Sequence, residues 1–344
     1  LPERNLRMEL FTGAKLDAAS PNVTGITGVR EVRSIRDLPG ILGERGLRTV
    51  WTQLDSEPTK AALTFTASSM GSSDPVTPQD VRELTKTLRS FKDDGEIELL
   101  RKAANASIKA QEAAILAIHP GVNERAISGV ITGTLLANAC ERPSYPSIVG
   151  SGINSTVLHY MADDNIMQSE DVVVMDAAGE YSMYASDVTR TIPVNGHFTD
   201  RQREIYNIVL GAQRAAAEAF VSGKSTLYNV EHPEDSLDGV ARAYIRTHGK
   251  DLHRQPLDKY FIHGLSHSVG IDVHDPLDFT KPLGPGSVFT IEPGIYIPEE
   301  KIGVRIEDTF YVDKSGKLQD FIADLPHTAE DIEALMQHGK PAAH

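Results

Sequence analysis

Five candidate metal ligands in the second half of this 344-residue chain constrain it more than any other feature. They are four acidic side chains and one imidazole, each within a distinctive local sequence: Asp176, Asp187, His267, Glu292 and Glu307. Four carboxylates cannot be buried together without compensation, because isolated carboxylates in a low-dielectric environment take up protons. Two divalent cations would balance the four negative charges. The set therefore predicts a dinuclear metal site, which suggests activation of a water molecule.

Charge and composition exclude several classes of protein. The formal net charge of -14 argues against nucleic acid or an anionic membrane surface as the main partner. The sequence has no apolar run of about 18 residues, so no transmembrane helix is expected. The single cysteine, Cys140, excludes an internal disulfide framework and favours a cytoplasmic location. Because the chain begins at Leu1 without a methionine, removal of a signal peptide or of an N-terminal segment stays open.

Hydrophobic periodicity predicts two domains, residues 1–90 and 91–344. In the first, the run LRTVWTQL has the β-branched and aromatic content of a buried strand. The second opens with DDGEIELLRKAANASIKAQEAAILAI, a long amphipathic helix for which Asp93 or Asp94 is the predicted N-cap. A second helix follows, with Asn123 as its cap.

The candidate ligands are predicted on strands. Asp176 ends an apolar strand, and Asp187, eleven positions later, lies on a second strand that would form a hairpin with the first. Glu292 and Glu307 are predicted within two further apolar strands. Between these pairs, a clear helix has Asp200 as its predicted N-cap. The order of two helices followed by strands recurs once, which indicates two similar halves.

Each candidate also has an ordinary explanation when it is taken alone. Aspartate is common in turns, glutamate on a strand can face solvent, and His267 can be a hydrogen-bonded structural histidine. The group His263, His267, His274 and Asp275 within thirteen residues is harder to explain in that way. The combination of motifs therefore favours a functional site.

The motifs DAAGEYSMYASDVTRT, HGLSHSVGIDVHD, TIEPGIY and GVRIED resemble those of the metallopeptidase family that includes aminopeptidase P and prolidase. The resemblance covers roughly residues 90 to 337. It implies an α+β fold, namely a pita-bread catalytic domain with pseudo-two-fold halves. A shortened creatinase-type α/β N-terminal domain, apparently lacking its opening strands, would precede it.

The resemblance also assigns the five metal ligands. In the family arrangement, Asp187 and Glu307 bridge two metal ions, Asp176 completes one site, and His267 and Glu292 complete the other. Glu292 is also the group that would transfer a proton. Two divalent ions per chain are implied, with Mn²⁺ as the first choice and Zn²⁺, Co²⁺ or Fe²⁺ as alternatives.

Further residues match the family outside the ligand set. Its catalytic histidines correspond to His159, His263 and His274, and the last two would position the substrate and stabilise the oxyanion. Arg305 matches a substrate-side arginine of the aminopeptidase P group. One departure is visible, because the family usually has glycine where this chain has Ala178.

The function implied by the resemblance is removal of the N-terminal residue from peptides with proline in the second position. Proline-containing peptides would be the partners, and a homodimer is expected. An Xaa-Pro dipeptidase is the main alternative. Two others are a non-catalytic peptide-binding module and a metal-free creatinase-like amidinohydrolase, and the complete ligand set argues against both.

Overall fold

A computed structural model describes residues 1, 3–7, 9, 14–37, 40–41, 49–54 and 77–338 of the chain. The chain divides into two units, Leu1–Thr85 and Lys86–His344. The division falls within helix α2 (Arg82–Arg89), close to the predicted boundary at residue 90. The assignment of the first domain to the creatinase type stays a prediction.

The described part of the first unit contains helix α1 (Val23–Thr27) and two parallel strands, β1 (Thr49–Thr52) and β2 (Thr77–Asp80). The strand predicted in LRTVWTQL is confirmed at β1, but its predicted burial is wrong. Within the described residues β1 pairs only with β2, and Trp51 is 53% exposed.

Two capped helices open the second unit. In α3 (Asp94–Ala117), Asp93 accepts a hydrogen bond from the backbone N–H of Glu96, and the Glu96 carboxylate accepts one from the backbone N–H of Asp93. This reciprocal capping box selects Asp93 over Asp94 as the N-cap. In α4 (Glu124–Ala137), the Asn123 side chain accepts from the backbone N–H of Arg125, which confirms the predicted cap.

The first half of the second unit continues with strands that form two small antiparallel sheets. They are β3 (Arg142–Pro143), β4 (Ile148–Ser151), β5 (Val172–Asp176), β6 (Gly179–Tyr181), β7 (Tyr184–Ala185) and β8 (Thr189–Pro193). One sheet has the order β4-β5-β8 and the other the order β3-β6-β7. The central strand β5 is buried at every position, as its β-branched run Val-Val-Val predicts.

The second half repeats the order of two helices followed by an antiparallel sheet. Its elements are α5 (Asp200–Glu218), α6 (Leu237–His248), β9 (Val288–Ile291), β10 (Gly294–Ile297), β11 (Ile302–Arg305), β12 (Asp308–Val312), β13 (Leu318–Asp320) and α7 (Ala329–His338). Strands β13, β12 and β9 form the sheet, and β10 and β11 form a separate hairpin. The predicted recurrence is therefore present in the structure.

The two main sheets, β4-β5-β8 and β13-β12-β9, meet at a backbone bridge between Thr189 and Glu307. The backbone N–H of Thr189 donates to the carbonyl oxygen of Glu307 at 3.3 Å, and the N–H of Glu307 donates to the carbonyl oxygen of Thr189 at 3.1 Å. Buried apolar side chains from both halves form one core around this junction. No helix within the described ranges is both long enough and apolar enough to cross a membrane.

Helix α5 begins one residue earlier than the sequence indicates. Thr199, not Asp200, is the N-cap. Its hydroxyl accepts from the backbone N–H of Gln202 at 3.3 Å, and the Gln202 side chain accepts from the backbone N–H of Thr199 at 2.9 Å. Asp200 is the first helical residue. Its negative charge there interacts favourably with the helix dipole, but its side chain is not part of the capping box.

We expect Thr199→Ala to lower the free energy of unfolding by about 1 kcal/mol, because the first turn loses a side-chain acceptor. Thr199→Ser keeps the hydroxyl and should stay close to wild type. Urea unfolding of the metal-free protein measures both. Equal losses for the alanine and serine variants would contradict the capping role.

Candidate metal centre

The four acidic candidates lie where strands of the two main sheets begin or end. Asp176 is the last residue of β5, and Asp187 lies two residues before β8. Glu292 directly follows β9, and Glu307 lies between β11 and β12. The prediction that Asp187, Glu292 and Glu307 lie within strands is therefore wrong. At Glu292 the cause is Pro293, which has no N–H with which to continue the ladder.

His267 reaches the same point through backbone pairing with β9. The carbonyl oxygen of His267 accepts from the N–H of Thr290 at 2.9 Å, and the carbonyl oxygen of Leu265 accepts from the N–H of Glu292 at 2.9 Å. The segment containing His267 thus runs antiparallel to β9. This pairing brings His267 beside Glu292, although 24 residues separate them in the chain.

One imidazole nitrogen faces three carboxylates. Nε2 of His267 lies 3.3 Å from Oδ2 of Asp187, 3.4 Å from Oε1 of Glu292 and 3.9 Å from Oε1 of Glu307. Asp187, His267 and Glu307 each offer an atom within 4.8 Å of the others. The predicted ligands from both halves therefore converge, and their donor atoms surround a space that suits a metal ion.

Asp176 joins this group through Tyr145 and Arg305. The Tyr145 hydroxyl lies 2.6 Å from Oδ1 of Asp176 and 2.6 Å from Oδ1 of Asp187. Nη2 of Arg305 donates to Oδ2 of Asp176 at 2.7 Å. Sequence reasoning missed Tyr145, because a tyrosine in the run Pro-Ser-Tyr-Pro-Ser carries no signal of a contact with residues 31 and 42 positions later.

Arg305 is buried and fully engaged within the protein. Besides its bond to Asp176, its Nη1 donates to the Tyr296 hydroxyl at 3.0 Å and its Nε donates to the Thr189 hydroxyl at 3.1 Å. Thr189 in turn donates to Oε2 of Glu307 at 2.7 Å. The guanidinium therefore orients two candidate ligands, one directly and one through Thr189. A direct contact of Arg305 with substrate stays a prediction.

Burial and crowding raise the pKa values of three of the acidic candidates. Burial raises the pKa of Glu292 to about 7, although the charge of His267 opposes the rise. Burial and then the negative charge of Asp187 raise the pKa of Glu307 well above its usual range. Burial also raises the pKa of Asp176, against the effect of Arg305. These shifts follow from like charges in a desolvated site, and a divalent cation would reverse their cause.

The pKa of His267 shifts upward, as expected of an imidazole surrounded by acidic groups. Burial by itself would lower the pKa of His267, but the hydrogen bond to Asp187 and the charge of Glu292 outweigh it and raise the pKa to about 9. A carboxylate beside an imidazole favours the charged ring. A metal ion would compete with that proton for the same nitrogen.

A cavity of about 550 Å³ opens beside the candidate ligands. Its lining includes the three predicted catalytic histidines and apolar side chains such as Leu158 and Met161. His159 is exposed there. The cavity therefore combines a charged floor with partly apolar walls, which is typical of a site for a small organic substrate.

His263 and His274 differ in their surroundings. Nδ1 of His263 contacts the carbonyl oxygen of Gly264 at 2.8 Å, and its Nε2 contacts the Tyr296 hydroxyl at 2.9 Å. Burial and the charge of Arg305 lower the pKa of His263 to about 4, so the ring is neutral at physiological pH. The ring of His274 lies over that of His267 with centroids 4.0 Å apart. In the described part of the chain, no hydrogen-bond partner occupies either ring nitrogen of His274.

Ala178, which stands where the family usually has glycine, leaves this geometry intact. Ala178 is buried, and its carbonyl oxygen accepts from the N–H of Ser144 at 2.9 Å. Its backbone is outside the positive-φ region that favours glycine. An alanine is therefore accommodated here, and Asp176 keeps its place at the end of β5.

Comparison with known proteins agrees with this geometry. The chain is 37% identical over 277 residues to the Xaa-Pro aminopeptidase of Escherichia coli K12, covering 76% of this chain and 63% of that protein. It is 39% identical over 241 residues to the Xaa-Pro dipeptidase of Pyrococcus furiosus, covering 69% of this chain and 64% of that protein. The chain thus spans less than two thirds of the length of these relatives.

Solved structures show the same architecture. Aminopeptidase P from E. coli in its low-pH form superposes with a TM-score of 0.88 at 29% identity, covering 98% of this chain and 82% of that one. Proline aminopeptidase P II from Yersinia pestis gives a TM-score of 0.85 at 29% identity, with coverage of 98% and 82%. The predicted pita-bread fold is confirmed.

The family assignment follows from sequence and structure together. Residues 98–314, which include all five candidate ligands, match the sequence profile of a single family. The fold, the converging ligands and the relatives agree with it, and the chain belongs to metallopeptidase family M24.

Proposed function

We propose that this protein is a dinuclear-metal hydrolase that removes the N-terminal residue from peptides with proline in the second position. The observation that carries the proposal is the single nitrogen, Nε2 of His267, that faces three carboxylates at 3.3, 3.4 and 3.9 Å beside an open cavity. Buried acidic groups gathered around one nitrogen in this way oppose one another unless cations compensate them. The complete ligand set disfavours both a metal-free creatinase-like enzyme and a purely peptide-binding module.

Membership of family M24 implies divalent metal ions, and the residues present fit them. We propose two ions, held by the set Asp176, Asp187, His267, Glu292 and Glu307, with Asp187 and Glu307 shared. Four carboxylates and one imidazole suit Mn²⁺, and Zn²⁺, Co²⁺ or Fe²⁺ are alternatives. When bound, such ions supply Lewis acidity that lowers the pKa of water.

A side chain of the protein must supply the proton that the leaving group needs. The leaving group is the nitrogen of proline, a tertiary amide nitrogen that carries no hydrogen, and it must accept a proton as the peptide bond breaks. We assign this transfer to Glu292. Its side chain is 15% exposed, against 2% for Glu307 and 6% for Asp187, so it reaches the cavity best of the three acids that face His267.

The three histidines would serve the substrate. His274, whose ring nitrogens point to no protein partner in the described ranges, is placed to donate a hydrogen bond to the carbonyl oxygen under attack. His263 is neutral and tied to Tyr296, which suits a fixed positioning group. His159 lines the wall of the cavity. These roles, and the substrate-side role of Arg305, are supported by placement alone.

The choice of an aminopeptidase over a dipeptidase rests on the charges around the cavity. A dipeptidase must bind the free carboxylate of proline, which favours a cationic side chain. Among the described residues that line the cavity, Arg305 is the only lysine or arginine, and it is already bonded to Asp176 and Tyr296. The dipeptidase remains the second candidate because of the identity to the P. furiosus enzyme. Cytoplasmic location and a homodimer stay predictions.

We predict that two substitutions differ in their effect on metal content. His274→Ala should lower turnover about 100- to 1000-fold, as the loss of one oxyanion donor does, while bound metal stays near wild type. Glu307→Ala should abolish activity and lower metal content, because a shared ligand serves both ions. Metal analysis and peptide hydrolysis measure both variants. Parallel loss of metal and activity in His274→Ala would make His274 a ligand instead.

We expect the tripeptide Ala-Pro-Ala to be cleaved with a kcat/KM about tenfold or more above that of Ala-Pro. The reason is that no free cation is available in the described cavity lining to bind the proline carboxylate. Steady-state kinetics of the Mn²⁺-loaded protein measure the ratio, with Ala-Ala-Ala as the control for the proline requirement. A larger kcat/KM for the dipeptide would make this protein a dipeptidase.

The stability of the metal-free protein should fall as pH rises from about 5 to 9. The folded state raises the pKa of Glu292 to about 7 and that of His267 to about 9, so it binds their protons more tightly than the unfolded chain does. Stability from such groups is complete below the unfolded pKa and is lost as pH rises through the folded pKa.

Excess Mn²⁺ should oppose this trend, since metal binds the deprotonated ligands. Thermal unfolding in chelator and in Mn²⁺ across this pH range measures both effects. Glu292→Gln should flatten the chelator profile near pH 7. A chelator profile that rises with pH would contradict the assigned protonation.

A further inference from the structure

Arg190 is a fully buried cation on the far side of the sheet from the candidate ligands. It follows Thr189 on β8, and successive side chains of a strand point to opposite faces. The Thr189 hydroxyl meets Glu307 on one face. The Arg190 guanidinium therefore lies on the other, where it contacts neither the cavity nor any ligand side chain.

The guanidinium binds the junction between the two sheets. Nη1 of Arg190 donates to the carbonyl oxygen of Thr189 at 3.0 Å and to the carbonyl oxygen of Glu307 at 3.0 Å. The same two oxygens accept the backbone hydrogen bonds that join the sheets. Each carbonyl thus has two donors, and one side chain spans the chain segments from both halves.

Asp308 compensates the buried charge. Nη2 of Arg190 donates to Oδ1 of Asp308 at 2.8 Å, and Nε donates to the carbonyl oxygen of Pro326 at 2.8 Å. Oδ2 of Asp308 accepts from Nε2 of Gln213 at 2.8 Å and lies 2.8 Å from Nε2 of His327. Asp308 directly follows Glu307 in the chain, and Arg190 donates to the carbonyl oxygen of Glu307, so both members of the pair contact the backbone of the candidate bridging ligand.

We propose that Arg190 and Asp308 form a clamp that holds the backbone of Glu307 in place and so sets the affinity of the metal centre. The clamp consists of positioning residues, because it touches neither substrate nor the metal-facing carboxylates. It rests on the proposed function only in taking Glu307 as a ligand. Ligand orientation by outer contacts typically changes metal affinity or activity about 10- to 100-fold.

The geometry requires arginine at this position. A guanidinium is planar and presents its N–H donors in several fixed directions. Here they reach the carboxylate of Asp308 and three carbonyl oxygens, those of Thr189, Glu307 and Pro326. A lysine ammonium is a single point of charge and cannot span them. Arg190→Lys therefore keeps the charge and removes the clamp.

The test compares metal binding in matched variants. Arg190→Lys is one. The double variant Arg190→Gln with Asp308→Asn removes both charges together, so that no unpaired charge is left buried. Gln213 and His327 can adapt, because an amide can rotate and an imidazole can change its tautomer. The control is Arg201→Gln with Glu300→Gln, a bidentate pair of 2.7 Å bonds at the start of α5 that has no contact with the junction.

Calorimetric titration of the chelator-treated proteins with Mn²⁺ gives affinity and stoichiometry without any peptide. We expect affinity to fall about 10- to 100-fold in Arg190→Lys and in the double variant, and to change less than about twofold in the control. Circular dichroism and urea unfolding test whether each variant is folded. If the double variant does not fold, the conservative Arg190→Lys decides the question.

Two results would overturn the clamp. One is wild-type Mn²⁺ affinity in a folded Arg190→Lys or in the folded double variant, which would make the pair a structural feature only. The other is an equal loss of affinity in the control, which would indicate general destabilisation. If the wild type binds Mn²⁺ but cleaves no Xaa-Pro peptide, the proposed function fails while the clamp stands. If the wild type binds no divalent ion, both fail.

Discussion

Mutual repulsion among buried carboxylates is the constraint on which the rest of this structure depends. Asp187, Glu292 and Glu307 all approach one nitrogen of His267, and burial raises the pKa of both glutamates. Such a group is unfavourable unless cations and donors compensate it. The surrounding contacts do this in part, because Arg305 neutralises Asp176 and Thr189 donates to Glu307. The remaining negative charge is what makes the centre suited to divalent metal ions.

The repeated fold explains how one chain assembles such a centre. The first half contributes Asp176 and Asp187, and the second contributes His267, Glu292 and Glu307. The four acids lie where strands begin or end, and His267 is placed by its pairing with β9, so the five side chains face the same space. The backbone pair between Thr189 and Glu307 holds the two halves together at that point. The candidate metal centre thus lies at the junction itself, which is the basis of the proposed influence of Arg190 and Asp308 on it.

The side chains around the candidate centre are of two kinds. Some are hydrogen-bonded to other protein groups, and others have ring nitrogens without a protein partner in the described ranges. Tyr145 and Arg305 are committed to the ligands, and His263 is committed to Tyr296. His274 keeps its ring nitrogens available toward the cavity within the described ranges. We therefore propose orientation of the candidate ligands for the first group and substrate contact for the second. It also leaves the described cavity lining without a free arginine or lysine, which supports the proposed preference for a peptide that continues beyond proline.

The chemistry of the centre could be predicted from the sequence, because four acids and a histidine in distinctive motifs need compensation wherever they meet. The long helices and the cap at Asn123 were also predictable, since their signals are local. Contacts between distant residues were not. The Tyr145 bridge and the commitment of Arg305 to Asp176 join segments up to 129 positions apart. No local propensity encodes them. The sequence by itself determined which candidate ligands and which fold family are present, whereas tertiary packing decided which side chains are held, which are free and how the two halves meet.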